Sequence, residues 1–169
     1  MTNEMTRILE RLERLPSTMR SYILGKFVPF VGTAGLVFEK ITTDRVVVRV
    51  KDRRRVRNHI RTIHAAAVAL VAETATGFVV AMHLPDDKVP LIKTLHVNFV
   101  RRSQGAITAE AWLEPEQIER IRNDEKGEVT VPVTLTDDGG ATPVLCEMTW
   151  AWVSKRRSAP ESQARAASS

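Results

Sequence analysis

A nearly uninterrupted apolar stretch in the middle of the chain limits what it can fold into. Residues 65–82 contain one charged side chain, Glu73, no proline and one glycine, Gly77. The stretch is too long for a strand, so the pattern predicts one helix over about residues 62–82. Apolar side chains occur on all its faces, which predicts that the rest of the chain covers it. A membrane-spanning helix is disfavoured, because the central carboxylate of Glu73 is costly in a bilayer.

Short helices and half-buried strands account for most of the remaining chain. Apolar residues recur at helical spacing near the start, which predicts two helices ending at about Leu15 and Phe27. A short acidic helix is predicted to begin at Pro115. Elsewhere apolar and polar residues alternate as in strands. The predicted strands cover residues 36–41, 45–51, 94–99, 108–113, 129–135 and 144–152.

Short turns join several of these strands, as at Thr42–Arg45 and Asp137–Gly140. Such connections predict an antiparallel sheet. A sheet with one apolar face must be covered, and the long helix is the only segment large enough to cover it. The predicted fold class is therefore α+β, with an antiparallel sheet packed on one long central helix and further helices at the N-terminus.

Length and composition indicate one ordinary domain. The chain has 169 residues, of which 43% are hydrophobic and 27% charged, which excludes collagen-like and low-complexity proteins. We expect a helical extension over residues 1–28, the main domain over 29–154 and a disordered basic and polar tail over 155–169. The charged start is unlike a secretory signal, and a single cysteine, Cys146, excludes a disulfide framework. Both features favour a cytoplasmic location.

Glu73 is the strongest candidate for a functional side chain. A carboxylate in an apolar helix is unfavourable unless it is paired or used. One interpretation is a structural carboxylate bonded to a basic residue in the core. We favour the other interpretation, in which Glu73 faces a ligand or takes part in catalysis.

The start of the long helix is the second candidate, because free backbone N–H groups and the helix dipole favour an anion there. The small residues Ala65 to Ala67 let a ligand approach that backbone, although they also suit close helix–sheet packing. His64 either polarises a carbonyl group or caps the helix. No metal site is expected, because His59 and His64 have no carboxylate nearby at ligand spacing.

Basic residues are concentrated just before the apolar helix. The net charge is +5, and residues 44–61 contain eight basic side chains against two acidic ones. This segment is either a solvated loop, an RNA contact, or a rim that binds the phosphates of a nucleotide-bearing substrate. Aromatic residues are only 5% of the chain, which counts against nucleic acid. Arg101 and Arg102, at the end of a predicted strand, are candidates for the same rim.

These residues together resemble the hotdog-fold thioesterase superfamily, in the group that acts on 4-hydroxybenzoyl-CoA and phenylacetyl-CoA. Its fold is an antiparallel sheet wrapped around a long central helix. Its members carry Asn or Gln, then a His-Gly-Gly-like turn that opens the helix, then Asp or Glu two turns further on. Asn58, His64-Ala65-Ala66 and Glu73 match this pattern, and Val97–Arg102 is similar to a later strand motif. The resemblance is nearest to an uncharacterised branch in which Arg-Asn-His precedes the helix, as Arg57–His59 does here.

The resemblance implies an acyl-CoA thioesterase that needs no cofactor. The thioester oxygen is expected to accept a hydrogen bond from the Ala65 N–H, aided by Asn58 or His64. Glu73 is expected to act as general base on water or as nucleophile. Substrate contacts are expected at Ala66, Thr76, Arg101 and Arg102, and Thr76 or Thr74 is expected to position the water.

Two departures from the family pattern leave a second function open. Alanines 65 and 66 replace the usual glycines, and Arg102 stands where the family has proline. The alternative is a non-catalytic hotdog module that binds acyl-CoA or a lipid as a sensor or regulatory partner. In neither case do we expect a nucleic-acid partner or a membrane span.

The spacing of the two candidate positions predicts the oligomeric state. Ala65 and Glu73 are eight residues apart, or about 12 Å along an α-helix at ~1.5 Å per residue. One thioester carbonyl cannot contact both on the same helix. If both act in one reaction they come from two chains, which predicts a homodimer and leaves open a dimer of dimers.

Overall fold

A computed structural model describes residues 3–155, so the predicted tail lies outside the described residues apart from Lys155. The helices are α1 Glu4–Glu13, α2 Ser17–Phe27, α3 Pro29–Ala34, α4 Ala65–His83 and α5 Pro115–Asn123, with a 3₁₀ turn at Arg54–Val56. The strands are β1 Val37–Ile41, β2 Arg45–Val50, β3 Lys88–Phe99, β4 Ile107–Trp112, β5 Gly127–Val131, β6 Val133–Asp137 and β7 Val144–Ser154.

All seven strands belong to one sheet, and every pairing in it is antiparallel, which confirms the predicted class. The order is β1-β2-β4-β6-β7-β3, and β5 also pairs with β7. The longest ladder joins β3 to β7, from Lys88 opposite Ser154 to Phe99 opposite Val144. Strands β1 and β3 are therefore at opposite ends of the strand order.

Helix α4 packs against β2, β3, β4, β6 and β7. Its side chains Val68, Val71, Ala75, Val79 and Val80 lie in the main hydrophobic core. By length and composition alone α4 could cross a membrane, since its mean hydropathy reaches 1.8, but 61% of that window is buried inside the protein. The core helix of a folded domain meets the same criterion, so this is weak evidence for a span.

One side of α4 is less covered than the apolar pattern predicted. The sheet and the helices α1, α3 and α5 contact the other sides. Leu70, Glu73, Gly77 and Ala81 are only half-buried, and Ala66 is exposed. These residues are spaced by three or four positions, so they form one stripe along the helix. We call them the α4 stripe.

Polar contacts hold the N-terminal helices α1 and α2 against the rest of the domain. The Asn3 side chain caps α1 and donates a hydrogen bond to the Ala81 carbonyl oxygen at 2.8 Å. The buried Arg20 of α2 forms an ion pair with Glu13 and donates to the Phe38 carbonyl oxygen of β1 at 2.8 Å. Buried, paired arginines of this kind fix the orientation of the elements they join.

Two strand predictions differ from the structure. The sequence predicts one strand over 129–135, but Pro132 divides it into β5, which pairs with β7, and β6, which pairs with β4 and, at Leu135, with β7. Proline lacks an N–H group and therefore interrupts a ladder. Strand β3 begins at Lys88, several residues before the predicted start, because it pairs with β7 along its whole length.

Candidate functional site

Glu73 lies in the middle of α4 with its carboxylate half-buried. Among residues 3–155 it has no ion-pair partner, and its one hydrogen bond is a long one, from the Thr74 hydroxyl at 3.5 Å. Burial raises the pKa of Glu73 above its ordinary value, and the hydrogen bond from Thr74 opposes this only in part. A carboxylate with a raised pKa and no counter-charge is better suited to accepting a proton than to holding the core together.

Glu73 lines a cavity of about 210 Å³. The other lining residues come from α1, α2, α3, α4, β3 and β7, and almost all are apolar. They are Met5, Phe27, Val28, Val31, Thr74, Gly77, Phe78, Ala81, Pro90 and Trp150. The Glu73 carboxylate thus stands in the wall of a small apolar cavity, which we call the Glu73 cavity.

Gly77 and Trp150 shape this cavity. Gly77 lies four residues after Glu73, and a Cβ atom placed there would come within 2.7 Å of the Trp150 ring. The indole ring therefore packs directly on the helix backbone. Its Nε1–H donates to the Thr76 hydroxyl at 3.0 Å, and that hydroxyl lies 2.9 Å from the Ala72 carbonyl oxygen to which it donates.

Thr76, expected to bind substrate, does not line the Glu73 cavity. Its side chain is fully buried and its hydroxyl is used by Trp150 and by the helix backbone. Thr74, the other threonine considered from sequence, lines the cavity and contacts Glu73. The reason is geometric, because Thr74 and Glu73 are neighbours whereas Thr76 points toward β7.

His64 is the N-cap of α4. Its Nδ1 accepts a hydrogen bond from the Ala66 N–H at 3.0 Å, so neutral His64 carries its proton on Nε2. This is the capping role that the sequence left open beside a catalytic one. The Ala65 N–H has no hydrogen-bond partner among residues 3–155. Ala65 therefore supplies the free donor at this helix end, and both alanines are exposed.

Asn58 organises the loop that leads into α4. Its Oδ1 accepts from the N–H groups of Ile60 and Thr62, each at 3.1 Å, and its Nδ2 donates to the Thr62 hydroxyl at 2.9 Å. Arg61 in the same loop has a left-handed backbone, with φ of 61°. Within one chain Asn58 thus holds the turn, and one of its two Nδ2 hydrogens is not used by Thr62.

Arg101 and Arg102 follow β3 directly and are both exposed. The Arg102 guanidinium reaches the Ile60 carbonyl oxygen at 3.4 Å. The end of β3 therefore lies beside the 58–62 loop, close to the start of α4. This contact places Arg102 beside the end of the basic segment 44–61.

The predicted site residues fall into two groups within one chain. Asn58, His64, Ala65, Ala66 and Arg102 lie at the start of α4, and none of them lines the cavity that contains Glu73. Eight residues separate Ala65 from Glu73, about two turns of helix. A site that uses both groups on one thioester would need one of the groups from a second chain.

Nothing in the described part of the chain suggests a metal centre, since residues 3–155 contain no cluster of three or more His, Cys, Asp or Glu side chains able to hold an ion. The lone Cys146 is half-buried on β7, and burial raises its pKa to about 11. It is therefore a poor nucleophile at neutral pH.

Most of the cavity wall could not be predicted from the sequence. Met5, Phe27 and Trp150 come from elements remote in sequence, and only the packing brings them to Glu73. One signal was available, because a glycine inside an apolar helix often marks a close approach by another group. Gly77 is such a glycine.

Solved structures with this arrangement are known. A Pseudomonas aeruginosa protein of unknown function, described as a probable thioesterase, is 24% identical, with a TM-score of 0.73 over 83% of this chain and 97% of that one. A Haemophilus influenzae thioesterase is 12% identical, with a TM-score of 0.65 over 84% and 94%. A Staphylococcus aureus thioesterase carrying a glutamine-to-alanine change is 16% identical, with a TM-score of 0.62 over 74% and 98%. No curated protein matches the chain.

The sheet, the central helix and these likenesses define the chain as a hotdog-fold protein, as the residue pattern had indicated. More narrowly, residues 17–153 match the model of a domain of unknown function, DUF4442. The chain belongs to that family, a thioesterase-like branch of the hotdog fold whose function is not known.

Proposed function

We propose that the protein is a thioesterase that hydrolyses acyl-CoA in the cytoplasm. The observation that carries the proposal is the unpaired Glu73 carboxylate in the wall of an apolar cavity. An apolar cavity suits an acyl chain, and a carboxylate with a raised pKa suits proton abstraction from water. The solved relatives that carry the name thioesterase agree with this assignment.

The active unit in this proposal is a homodimer. Strand β3 ends the sheet order, and its Leu91, Leu95 and Phe99 side chains are exposed, as is Leu145 on the neighbouring β7. A long apolar edge strand is a site for pairing with another chain. Pairing of two β3 edges would also cover the half-open α4 stripe. The start of one α4 could then meet Glu73 of the other subunit.

In the proposed reaction, Glu73 takes a proton from a water molecule, and the water oxygen attacks the thioester carbonyl carbon. The oxyanion that forms accepts a hydrogen bond from the Ala65 N–H of the second subunit. Collapse of the tetrahedral intermediate breaks the carbon–sulfur bond. The thiolate leaves and takes the proton from Glu73, which returns to its carboxylate form. Thr74 holds the carboxylate or the water in place.

A spacing in one relative supports the pairing of Asn58 with Glu73. Structures of the Staphylococcus aureus protein carry alanine in place of a glutamine or of a glutamate, and those two positions are 15 residues apart. Asn58 and Glu73 are separated by the same 15 residues. We propose that Asn58 contributes its second Nδ2 hydrogen, the one not used by Thr62, to the thioester oxygen.

A non-catalytic module that binds acyl-CoA or a lipid remains the second candidate, and one observation favours it. The Ala66 N–H is bonded to His64, and most of the Asn58 amide is used in its loop. Only one backbone donor, at Ala65, is therefore free for an oxyanion. A site with few donors binds a thioester without accelerating its hydrolysis much.

A pair of measurements separates the two candidates. Thiol release is followed spectroscopically with a panel of acyl-CoA substrates of increasing chain length, and binding of the same compounds is measured by calorimetry. We expect release with saturation kinetics and a preference for chains that fit the Glu73 cavity. Binding without thiol release from any member of the panel would support the module and overturn the enzyme.

A further inference from the structure

Helix α2 has an unusual outer face. Its inner face is buried through Arg20, Leu24 and Gly25. Its outer face presents Met19, Tyr22 and Ile23, and Tyr22 is 68% exposed. The solvent side of a surface helix is normally polar. Here it is mostly apolar, and among residues 3–155 only the Lys26 ammonium, 5.6 Å from the centre of the Tyr22 ring, lies over it.

The exposed apolar surface continues onto α3. Phe30 is 60% exposed and lies in α3, three residues after the end of α2. Phe27 is also exposed, but it lines the Glu73 cavity and is left out of this surface. Met19, Tyr22, Ile23 and Phe30 lie within twelve residues of sequence. Exposed apolar patches of this kind mark interaction sites.

A basic groove adjoins this apolar patch. A cavity of about 830 Å³ lies between α2, α3 and the segment after β2, and Tyr22 lines it. Four cationic side chains line the groove and no acidic one does; the cations are Lys26, Lys51, Arg53 and Arg55. None of the four forms an ion pair within residues 3–155, whereas nearby Arg57 is paired with Asp52 at 2.7 Å. The groove is therefore an uncompensated patch of positive charge.

The apolar patch and the basic groove together define one occupant. We propose that they form a docking surface for an anionic lipid bilayer, which we call the α2 surface. Apolar and aromatic side chains enter the boundary between headgroups and acyl chains, while lysines and arginines beside them meet anionic headgroups. A soluble phosphate compound would use the cations and leave the apolar face unexplained. A second copy of this chain brings the same positive groove, which is the wrong charge for pairing.

The position of α2 allows the α2 surface and the β3 edge to bind their partners at the same time. Helix α2 packs on β1, where the Ser21 hydroxyl accepts a hydrogen bond from the Phe38 N–H at 2.9 Å. Strands β1 and β3 are at opposite ends of the strand order. Docking through the α2 surface therefore does not compete with pairing at β3. Phe27 links α2 to the Glu73 cavity, so the bilayer would lie next to the cavity mouth.

The test is cosedimentation of the full-length protein with lipid vesicles. One set contains phosphatidylcholine with about 30% phosphatidylglycerol, and the other contains phosphatidylcholine alone. We expect binding to the anionic vesicles only, weakening as NaCl rises from about 0.05 to about 0.5 M. Ile23→Ser is expected to weaken binding by about tenfold through lost apolar burial. The double variant K51E/R53E is expected to weaken it by at least about twenty-fold.

Two control substitutions outside the α2 surface test whether a loss of vesicle binding is specific to that surface. Ile8→Ser removes an isoleucine of similar exposure, 46% against 39% for Ile23, from the outer face of α1, and Lys126→Glu reverses an exposed cation after α5. Neither is expected to change vesicle binding. Melting temperatures of all variants establish that the fold is intact.

Several results would overturn the proposal. One is equal binding to neutral and anionic vesicles, and another is an equal loss in the control variants. If Ile23→Ser changes the oligomeric state in light scattering and leaves vesicle binding unaltered, the face belongs to a second copy. If the soluble headgroup glycerol phosphate binds as tightly as the vesicles, the groove is a small-anion site. The thioesterase assay is independent of each outcome.

Discussion

At the scale of single residues, the role of Glu73 separates the two proposed functions. Its carboxylate is half-buried, has no cation beside it among residues 3–155, and lines an apolar cavity. The structural ion pair considered from sequence has no partner within that range. Glu73→Gln keeps the size and removes the charge and the basicity.

We expect Glu73→Gln to lower turnover by about 10² to 10⁴, the range for removal of a positioned proton-transfer group. Substrate binding should change little, because the lost interaction matters mainly in the transition state. Thermal stability should hold or rise, since an uncompensated carboxylate is unfavourable in the resting fold. The control is Glu119→Gln, which changes an exposed glutamate on α5. Unchanged turnover per folded molecule in Glu73→Gln would rule out the catalytic role.

The raised pKa of Glu73 also predicts the pH profile of catalysis. A general base acts in its deprotonated form, so turnover should rise with pH through the pKa of Glu73. Burial places that pKa above the ordinary value of 4.5. The profile of kcat against pH between about 4 and 9 checks this. If Glu73→Gln retains some turnover, and that turnover rises over the same pH range, then a group other than Glu73 causes the rise.

His83, at the end of α4, predicts how stability depends on pH. Its Nε2–H donates to the Thr43 carbonyl oxygen at 2.9 Å and its Nδ1 accepts from Arg122 at 3.1 Å. Burial is the largest cause of a pKa below the ordinary 6.5, so the fold holds His83 neutral. The unfolded chain binds the proton more readily. The free energy of unfolding should therefore fall as pH drops below about 6.5, by at most about 1.4 kcal/mol per pH unit for one group.

Denaturant unfolding of the wild type and of His83→Gln between about pH 7.5 and 5.5 isolates this effect. The glutamine retains a donor for Thr43 but does not titrate, so its stability should depend less on pH. Glu73 has the opposite effect on stability. Its pKa is raised in the fold, so its protonation at low pH removes the free-energy cost of burying its charge. The same slope in both proteins would show that His83 does not govern the acid limb.

At the scale of helices and strands, the link between the end of β3 and the 58–62 loop is the contact to test. Arg102 reaches the Ile60 carbonyl oxygen beside the start of α4, and Arg101 is exposed next to it. If these arginines bind the phosphates of CoA, Arg102→Ala should raise the KM for acyl-CoA by about tenfold. The KM for short thioesters that lack the nucleotide should not change. An equal rise for both kinds of substrate would leave Arg102 with only a structural role.

The elements that could be predicted from sequence are those with one dominant local signal. Helix α4 follows from an apolar run interrupted only by Glu73. The break at Pro132 could have been predicted, since proline interrupts a ladder, but its consequence depends on which strands pair with β5 and β6. Register and pairing over long sequence distances have no local signal.

The candidate site was predictable to a similar extent. Glu73 and the start of α4 were identified because each is chemically unusual where it stands. The cavity wall was not, because Met5 and Trp150 lie about 70 residues from Glu73 on either side. Thr74 and Thr76 could not be told apart from sequence, because the hydrogen bond from Trp150 to the Thr76 hydroxyl has no local signal.

At the scale of the whole molecule, the proposed reaction requires two subunits. The Ala65 N–H is free at one end of α4, and Glu73 lies about 12 Å further along the same helix. In the proposed dimer, the β3 edge and the α4 stripe are the surfaces that the second copy covers. The proposed reaction then takes its oxyanion donor from one subunit and its base from the other.

Two substitutions each remove one part of the proposed site, either the oxyanion donor or the base. Ala65→Pro removes the one free N–H, and proline is favoured at the first position of a helix. His64 already has φ of −63° and ψ of 140°, a conformation that residues before proline adopt. The helix should therefore form normally while turnover falls by about 10² to 10³. Glu73→Gln removes the base and leaves the Ala65 N–H intact.

Mixing these two inactive proteins under conditions that exchange subunits tests the shared site. A mixed dimer pairs the intact Ala65 of the Glu73→Gln subunit with the intact Glu73 of the Ala65→Pro subunit, which restores one of its two sites. Random exchange makes half of the dimers mixed, so the mixture should recover about a quarter of wild-type activity. Light scattering at micromolar protein concentration must first show that the wild type is a dimer. A mixture no more active than the average of its parents, after exchange has been demonstrated with labelled subunits, would refute a site built from two chains.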